Sequence, residues 1–218
     1  IMGFTRRYET PWRKAHELLQ SGRIGTLQMI LLRSVIPYSR YLQRWHRNQS
    51  LSGGALNDKA SHHFDVFNWF SGSEPQQIQA MGGRSSVFTP EPGAPKRCRE
   101  CDRVCPYRVL PSETVPEVGV FYSLEKEYAG KETALFMQPS WYDASTDEEL
   151  ADNCVYDPEA DIFDHAVVNV SYASGVKATL FLAIFGPVAE DQETLELVGP
   201  SGRIRLVRNS GKLDVVEE

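Results

Sequence analysis

Residues 52–70, SGGALNDKASHHFDVFNWF, hold the densest chemistry in the chain. On a helix, Asp58, His62 and Asp65 fall at i, i+4 and i+7 and share one face. A carboxylate one turn before an imidazole can orient the ring and raise its pKa from about 6.5. Such a histidine can take a proton from a hydroxyl and return it. Ala60, Phe64, Phe67 and Phe70 gather on the opposite side, which is expected to face a sheet, and His63 projects toward that apolar side as a passive residue. Gly53 and Gly54 leave the backbone free just before the helix, so a ligand can approach closely. The same spacing also describes the solvated face of an amphipathic helix, with Asp58 favoured by the helix N-terminus. Spacing alone leaves both readings open.

A second group of reactive side chains lies in RCRECDRVCPY, a C-x2-C-x3-C-P run of Cys98, Cys101 and Cys105. Thiolates so spaced can wrap a soft metal, and Cys154 would complete a four-sulfur tetrahedral zinc site. The run also echoes the end of a bacterial iron–sulfur motif whose first cysteine is missing here. A thiol-rich loop without metal, or a single disulfide, are the plain alternatives. Zinc in this position would stabilise an irregular insert and take no part in electron transfer.

The elements that must position these groups follow from periodicity and punctuation. TPWRKAHELLQSGRIG reads as a helix, with Pro11 in the first turn, apolar residues at Trp12, Ala15, Leu18 and Leu19, and Gly22 closing it. TLQMILLRSVIPY reads as a strand, too apolar to alternate and so expected to be covered on both faces. NDKASHHFDVFNWFSG is the second helix and QQIQAMGGRS a strand and turn. Residues from about 86 to 150 are irregular and rich in Pro, Gly, Ser and charge. AVVNVSYASGVKATLFLAIF is a hairpin around Ser174-Gly175, ETLELVGPSGRIRLVRN a second one, and KLDVV a last short strand. The expected fold is α+β: a large, mostly antiparallel, open-faced sheet with helices packed on one face. Residues 1–218 read as one domain with a Cys-containing insert at about 86–150.

Composition narrows the partners. The 218 residues carry a net charge of −6, which argues against a nucleic-acid or anionic-membrane footprint. The apolar runs are far short of the roughly 20 residues that span a bilayer. No apolar leader opens the chain, so a cytoplasmic location is expected, with a natural N-terminus upstream of Ile1. There is no G-x-G-x-x-G turn and no Walker loop.

Three stretches carry a family likeness: GFTRRYETPWRKAHELLQSGRIGTLQMILLRS, then SGGALNDKASHHFDVFNWFSGSEPQQIQAMGG, then NCVYDPEADIFDHAVVNVSYASGVKATLFLAIF with the closing LELVGPSGRIRL. Together they resemble the C-terminal domain of the Gfo/Idh/MocA oxidoreductases, and the glycine–Asp-x-x-x-His block is the specific part. The resemblance implies a two-domain enzyme whose N-terminal Rossmann domain binds NAD or NADP, with this chain beginning just after that domain. It implies hydride transfer between the nicotinamide and a hydroxyl-bearing carbon of a sugar, polyol or cyclitol. His62 would be the acid/base, and Asp58 would hold that histidine or a substrate hydroxyl. The family's catalytic lysine belongs to an upstream Glu-Lys-Pro segment, so Lys59 is not that residue. Ala60 in place of the commoner glycine, and the doubled histidine at His63, depart from the pattern and bear on substrate identity.

The resemblance also marks residues around the expected pocket. Arg6, Arg7 and Tyr8 would face nicotinamide or substrate, or else form a surface salt-bridge cluster. Trp45, His46, Arg47 and Asn48 would make a sugar-facing wall, since aromatic faces and forked donors suit polyols, or else belong to a plain structural loop. Of Asp161, Asp164 and His165, the last is the candidate substrate contact. The expected role is the substrate-binding and oligomerisation domain of an NAD(P)-dependent dehydrogenase, associating through its open sheet face and inactive without the missing domain. The alternative is a non-catalytic carbohydrate-binding or oligomerisation module of the same fold.

Overall fold

The computed structural model describes residues 4–108 and 152–217. The expected insert therefore lies partly outside the described residues, from 109 to 150. After a short 3-10 turn at Thr5–Tyr8, helix α1 spans Thr10–Gln20 and strand β1 Met29–Val35. Two single-turn helices, α2 (Arg40–Gln43) and α3 (Gln49–Ser52), lead into the long helix α4, Gly54–Ser71. Strand β2 is Pro75–Gly83, and beyond the insert come β3 (His165–Tyr172), β4 (Lys177–Ala183), β5 (Glu193–Gly199), β6 (Gly202–Val207) and β7 (Lys212–Glu217).

The seven strands form one sheet in the order β2-β3-β4-β1-β5-β6-β7. Among the described residues, only β1 and β4 pair in parallel, Met29 opposite Lys177 through Val35 opposite Ala183, and the other strand pairs are antiparallel. The two expected hairpins and the last strand are present, with Gly175, Gly202 and Gly211 at positive φ in the bends. Helix α1 lies over β6 and β7, and α4 over β3 and β4. One core fills the space between helices and sheet, from Trp12, Ala15 and Phe67 to Leu32, Leu180 and Leu206. A second, smaller core, with Ile36, Leu42, Phe88, Ile162 and Ile184, lies under the loops that deliver the chain to α4.

The start of α4 follows from local backbone chemistry. Gly53 and Gly54 both take positive φ, 74° and 86°, and a Cβ at Gly53 would meet Asn57 Nδ2 at 2.6 Å. The helix thus begins three residues before the expected Asn57, and Gly72 ends it in the left-handed conformation that favours glycine. The first helix closes on Ser21 rather than on Gly22 itself, which follows at φ 78° and donates its N–H to Leu19 O.

One expectation is corrected. Strand β1 is not covered on both faces: Ile30, Leu32 and Ser34 point into the core, while Met29 and Leu31 are 54% and 45% exposed. Alternation was present in the burial but hidden in the sequence, because both faces carry apolar side chains.

Candidate functional site

Helix α4 projects its first turns into a cluster of polar and aromatic side chains. Asp58, exposed on the helix, accepts a hydrogen bond from the Tyr41 hydroxyl. Tyr41 is itself braced by Tyr38 at 5.3 Å between ring centroids and by His46 at 4.9 Å, and His46 stacks on Trp45 at 3.9 Å. The wall expected from Trp45 and His46 thus reaches Asp58 through a tyrosine that spacing had not singled out.

One residue on, Lys59 Nζ donates to Tyr38 Oη at 3.2 Å and lies 4.4 Å from the centre of that ring. Burial, reinforced by the charge of Arg6, lowers its pKa to about 7. His62 is half-buried, edge-on to Phe4 at 5.5 Å. Its pKa is lowered by burial first, then by Arg6 and Lys59, against the pull of Asp58 and Glu193. The expected upward shift from Asp58 is therefore overturned: desolvation and two nearby cations outweigh one exposed carboxylate. The imidazole is held in its neutral, proton-accepting form. Its Nδ1 is buried without a hydrogen-bond partner among the described residues.

His63 turns inward as expected, but onto charged groups. Fully buried, its Nε2 lies 3.4 Å from Arg6 Nη2 and 3.6 Å from Glu193 Oε2. Burial drives its pKa down to about 4. Arg6 donates to Glu193 through Nε and Nη2, both at 2.8 Å, and both residues are buried. Burial pushes the Glu193 carboxyl up, but Arg6 and Arg208 prevail and hold it well below its usual value. Arg208 in turn grips Glu9 at 3.0 and 2.8 Å. Arg6 is thus neither a surface salt bridge nor a free cofactor contact; it ties the chain's first described turn to β5 and α4. Glu193 was missed in the sequence, yet it shares the alternation of Leu195 and Leu197, which marks it as inward-pointing.

The remaining candidates fall in separate places. Arg7 forms a two-pronged bond to Asp65, 2.8 Å at each prong, and sits over Trp69. This is the salt-bridge alternative, placed one helical turn beyond His62 on the same face. Tyr8 is 71% exposed. Arg47 is engaged with Asp157 at 2.7 Å and Glu159 at 3.5 Å, bracing the 157–161 loop. His165 opens β3 with Nδ1 2.8 Å from Asp164, whose buried carboxylate also takes the N–H and hydroxyl of Ser85. Asp161 caps α3 by accepting from the Gln49 N–H at 2.7 Å.

The zinc expectation for Cys98, Cys101, Cys105 and Cys154 finds no support in the arrangement of the side chains. Among the described residues, no group of three or more Cys, His, Asp or Glu is arranged to hold a metal ion. None of the four is in a disulfide; Cys98 is buried and the others are half-buried. Among the described residues, no helix is long and apolar enough to cross a membrane.

Comparison with known proteins adds to this geometry. Residues 12–95 match the model of the GFO/IDH/MocA C-terminal domain, a span that includes α1, β1 and the whole of α4. The chain is 29% identical over 217 residues to the putative oxidoreductase YteT of Bacillus subtilis (strain 168), covering 93% of this chain and 47% of that protein. It therefore spans about half the length of this curated relative. Among solved structures, a levoglucosan dehydrogenase in complex with NADH and levoglucosan superposes with a TM-score of 0.60 at 14% identity, covering 99% of this chain and 42% of the other. The myo-inositol 2-dehydrogenase of Lactobacillus plantarum superposes with a TM-score of 0.52 at 18% identity, covering 94% and 41%. At such identities the two structures speak for the fold. Residues 12–95 are thus similar to the GFO/IDH/MocA C-terminal domain, and the chain as a whole is similar to about half of a putative oxidoreductase and shares its sheet and helix arrangement with these solved structures.

Proposed function

We propose that this chain is the substrate-side and assembly half of an NAD(P)-dependent dehydrogenase acting on a hydroxyl of a sugar, polyol or cyclitol. The observation that carries the reading is the state of His62: a half-buried imidazole, kept neutral by desolvation and cations, with an unpaired Nδ1 one helical turn from Asp58. A neutral imidazole there is ready to take the hydroxyl proton as hydride leaves the carbon. Asp58, oriented by the Tyr41 hydroxyl, holds a neighbouring substrate hydroxyl. The aromatic side chains of Trp45 and Tyr41 offer the faces that suit the apolar side of a polyol ring.

The nicotinamide supplies the hydride acceptor. No residue of this chain is assigned to hold it, because the sequence has no Gly-x-Gly-x-x-Gly turn. What supports its involvement is the match of residues 12–95 to the GFO/IDH/MocA C-terminal domain and the similarity of the chain to about half of a putative oxidoreductase.

The test is turnover in the full-length protein, followed by nicotinamide absorbance over a panel of sugars and cyclitols. His62→Ala should lower kcat by roughly 100-fold or more with little change in the folded spectrum. Near-normal turnover in that variant would remove His62 from the chemistry. Sugar binding without turnover by the unaltered protein would favour the non-catalytic carbohydrate-binding reading.

A further inference from the structure

Lys59 differs from neighbouring cations in what it meets. Arg6 is paired with Glu193, Arg7 with Asp65, Arg47 with Asp157 and Arg208 with Glu9. The Lys59 ammonium, half-buried, has the Tyr38 hydroxyl at 3.2 Å and the Tyr38 ring centre at 4.4 Å. Among the described residues, no carboxylate lies within ion-pairing distance of it. An ammonium carries three N–H donors, and the phenol takes one of them. The remaining two are open to a ligand.

The position of this ammonium relative to His62 follows from the helix. Around the axis of α4, Asp58 and Lys59 lie roughly 40° and 60° to either side of His62, one turn closer to the N-terminus. Two neighbouring tyrosines hold these two charged side chains by their hydroxyls, Tyr41 on Asp58 and Tyr38 on Lys59, with ring centroids 5.3 Å apart. Tyr38 is fixed in turn by its backbone N–H, which donates to Ile184 O at 2.8 Å. His62 is thus bracketed by an anchored acid and an anchored cation. Burial first, then the charge of Arg6, lowers the Lys59 pKa to about 7. Asp58 and Glu193 pull the other way and are outweighed, each being committed to a nearer partner. A carboxylate set against Lys59 favours its charged form.

We propose that the substrate carries a carboxylate, as a uronic or aldonic acid does, and that Lys59 seats it beside the hydroxyl facing His62. This rests on the dehydrogenase reading of α4 and narrows its substrate from sugars at large to sugar acids. The two open N–H bonds of Lys59 grip the carboxylate, while Asp58 takes a hydroxyl on the other side of His62. A charged hydrogen bond of this kind is stronger than one to a neutral hydroxyl. The same bracket sets orientation, because a carboxylate turned toward Asp58 meets like charge. A neutral sugar leaves the half-buried ammonium without a counter-charge.

The experiment uses the full-length protein and pairs of compounds that differ in a carboxylate: glucuronate with glucose, galacturonate with galactose, gluconate with glucitol. Turnover is followed by nicotinamide absorbance and binding by calorimetry. At least one acid should exceed its neutral partner in kcat/KM by about tenfold or more, and Lys59→Gln, which keeps a donor for Tyr38 but no charge, should bring that ratio close to one. An equal or lower kcat/KM for every acid, or a ratio that Lys59→Gln leaves intact, would overturn the carboxylate seat while the dehydrogenase reading stands. Binding of an acid without turnover, abolished in Lys59→Gln, would uphold the seat and count against the dehydrogenase reading. Neither turnover nor binding with any of the compounds would overturn the seat. If Lys59→Gln fails to fold, the preference of the unaltered protein within each pair decides the matter.

Discussion

Two adjacent histidines on α4 show how sharply one residue step changes a side chain's chemistry. His62 stands half-buried beside Phe4, while His63 is sealed among Arg6, Glu193 and the core. An unfolded histidine titrates near 6.5, whereas burial holds His63 at about 4. Between those values the unfolded chain binds a proton that the folded chain refuses, so stability rises with pH across that window and is lost on acidification. The loss is on the order of 3 kcal/mol or less. Glu193, held well below its usual value, acts in the same direction but at lower pH: its contribution is present above the unfolded carboxylate value and disappears as pH falls through the folded one. Urea unfolding measured from pH 7.5 down to pH 4 should show this decline, and His63→Gln should flatten it between about 6.5 and 4. An unchanged slope in the variant would mean that another group carries the titration. The Asp58–His62 spacing was legible in the sequence. The partner that Asp58 takes, Tyr41, was not, because residues 41 and 58 meet only through the path of the intervening loop.

At the scale of elements, helices and hairpins were read from periodicity and turn residues, and their positions agree to within a few residues. The exceptions have specific causes. The glycine pair started α4 a turn early, because Gly54 and Ala55 are already buried against the rest of the molecule. Strand β1 looked two-sided because Met29 and Leu31 are apolar yet lie on the open face. Close approaches between elements leave less trace still. Gly199, at the end of β5, sits against the α1–β1 connection so tightly that a Cβ would lie 2.0 Å from Ile24 O. The atoms it would meet, of Ile24 and Thr26, are all backbone, so neither side can yield cheaply. Gly199→Ala should therefore destabilise the fold by about 1–3 kcal/mol, read as a lower urea midpoint with an unchanged slope. A change below about 0.5 kcal/mol would show that the strand end relaxes freely.

For the whole molecule, the uncovered sheet face is the outstanding feature. Met81, Val167, Phe181 and Arg33 form one cross-strand row over β2, β3, β4 and β1, and Met81 and Phe181 are 73% and 46% exposed. Apolar side chains in such a row are expected at an interface between copies of the chain. Sedimentation of the full-length protein at micromolar concentration should give a mass of two or more chains. Phe181→Asp should shift it to a single chain while leaving far-ultraviolet circular dichroism unchanged. A single-chain mass for the unaltered protein would remove the assembly role.

The amino-acid sequence by itself determined the local order: which residues are helical, where hairpins turn, and that an acid and a histidine share one face of α4. It did so because those properties depend on side-chain period and on glycine and proline within a few positions. Only the tertiary structure decided what each polar group meets. Glu193 met Arg6, across 187 residues of sequence, in a site buried from solvent. Desolvation and distant cations then set the proton affinity of His62 against the direction its nearest carboxylate would have given. Such effects belong to burial in three dimensions, and no spacing along the chain encodes them.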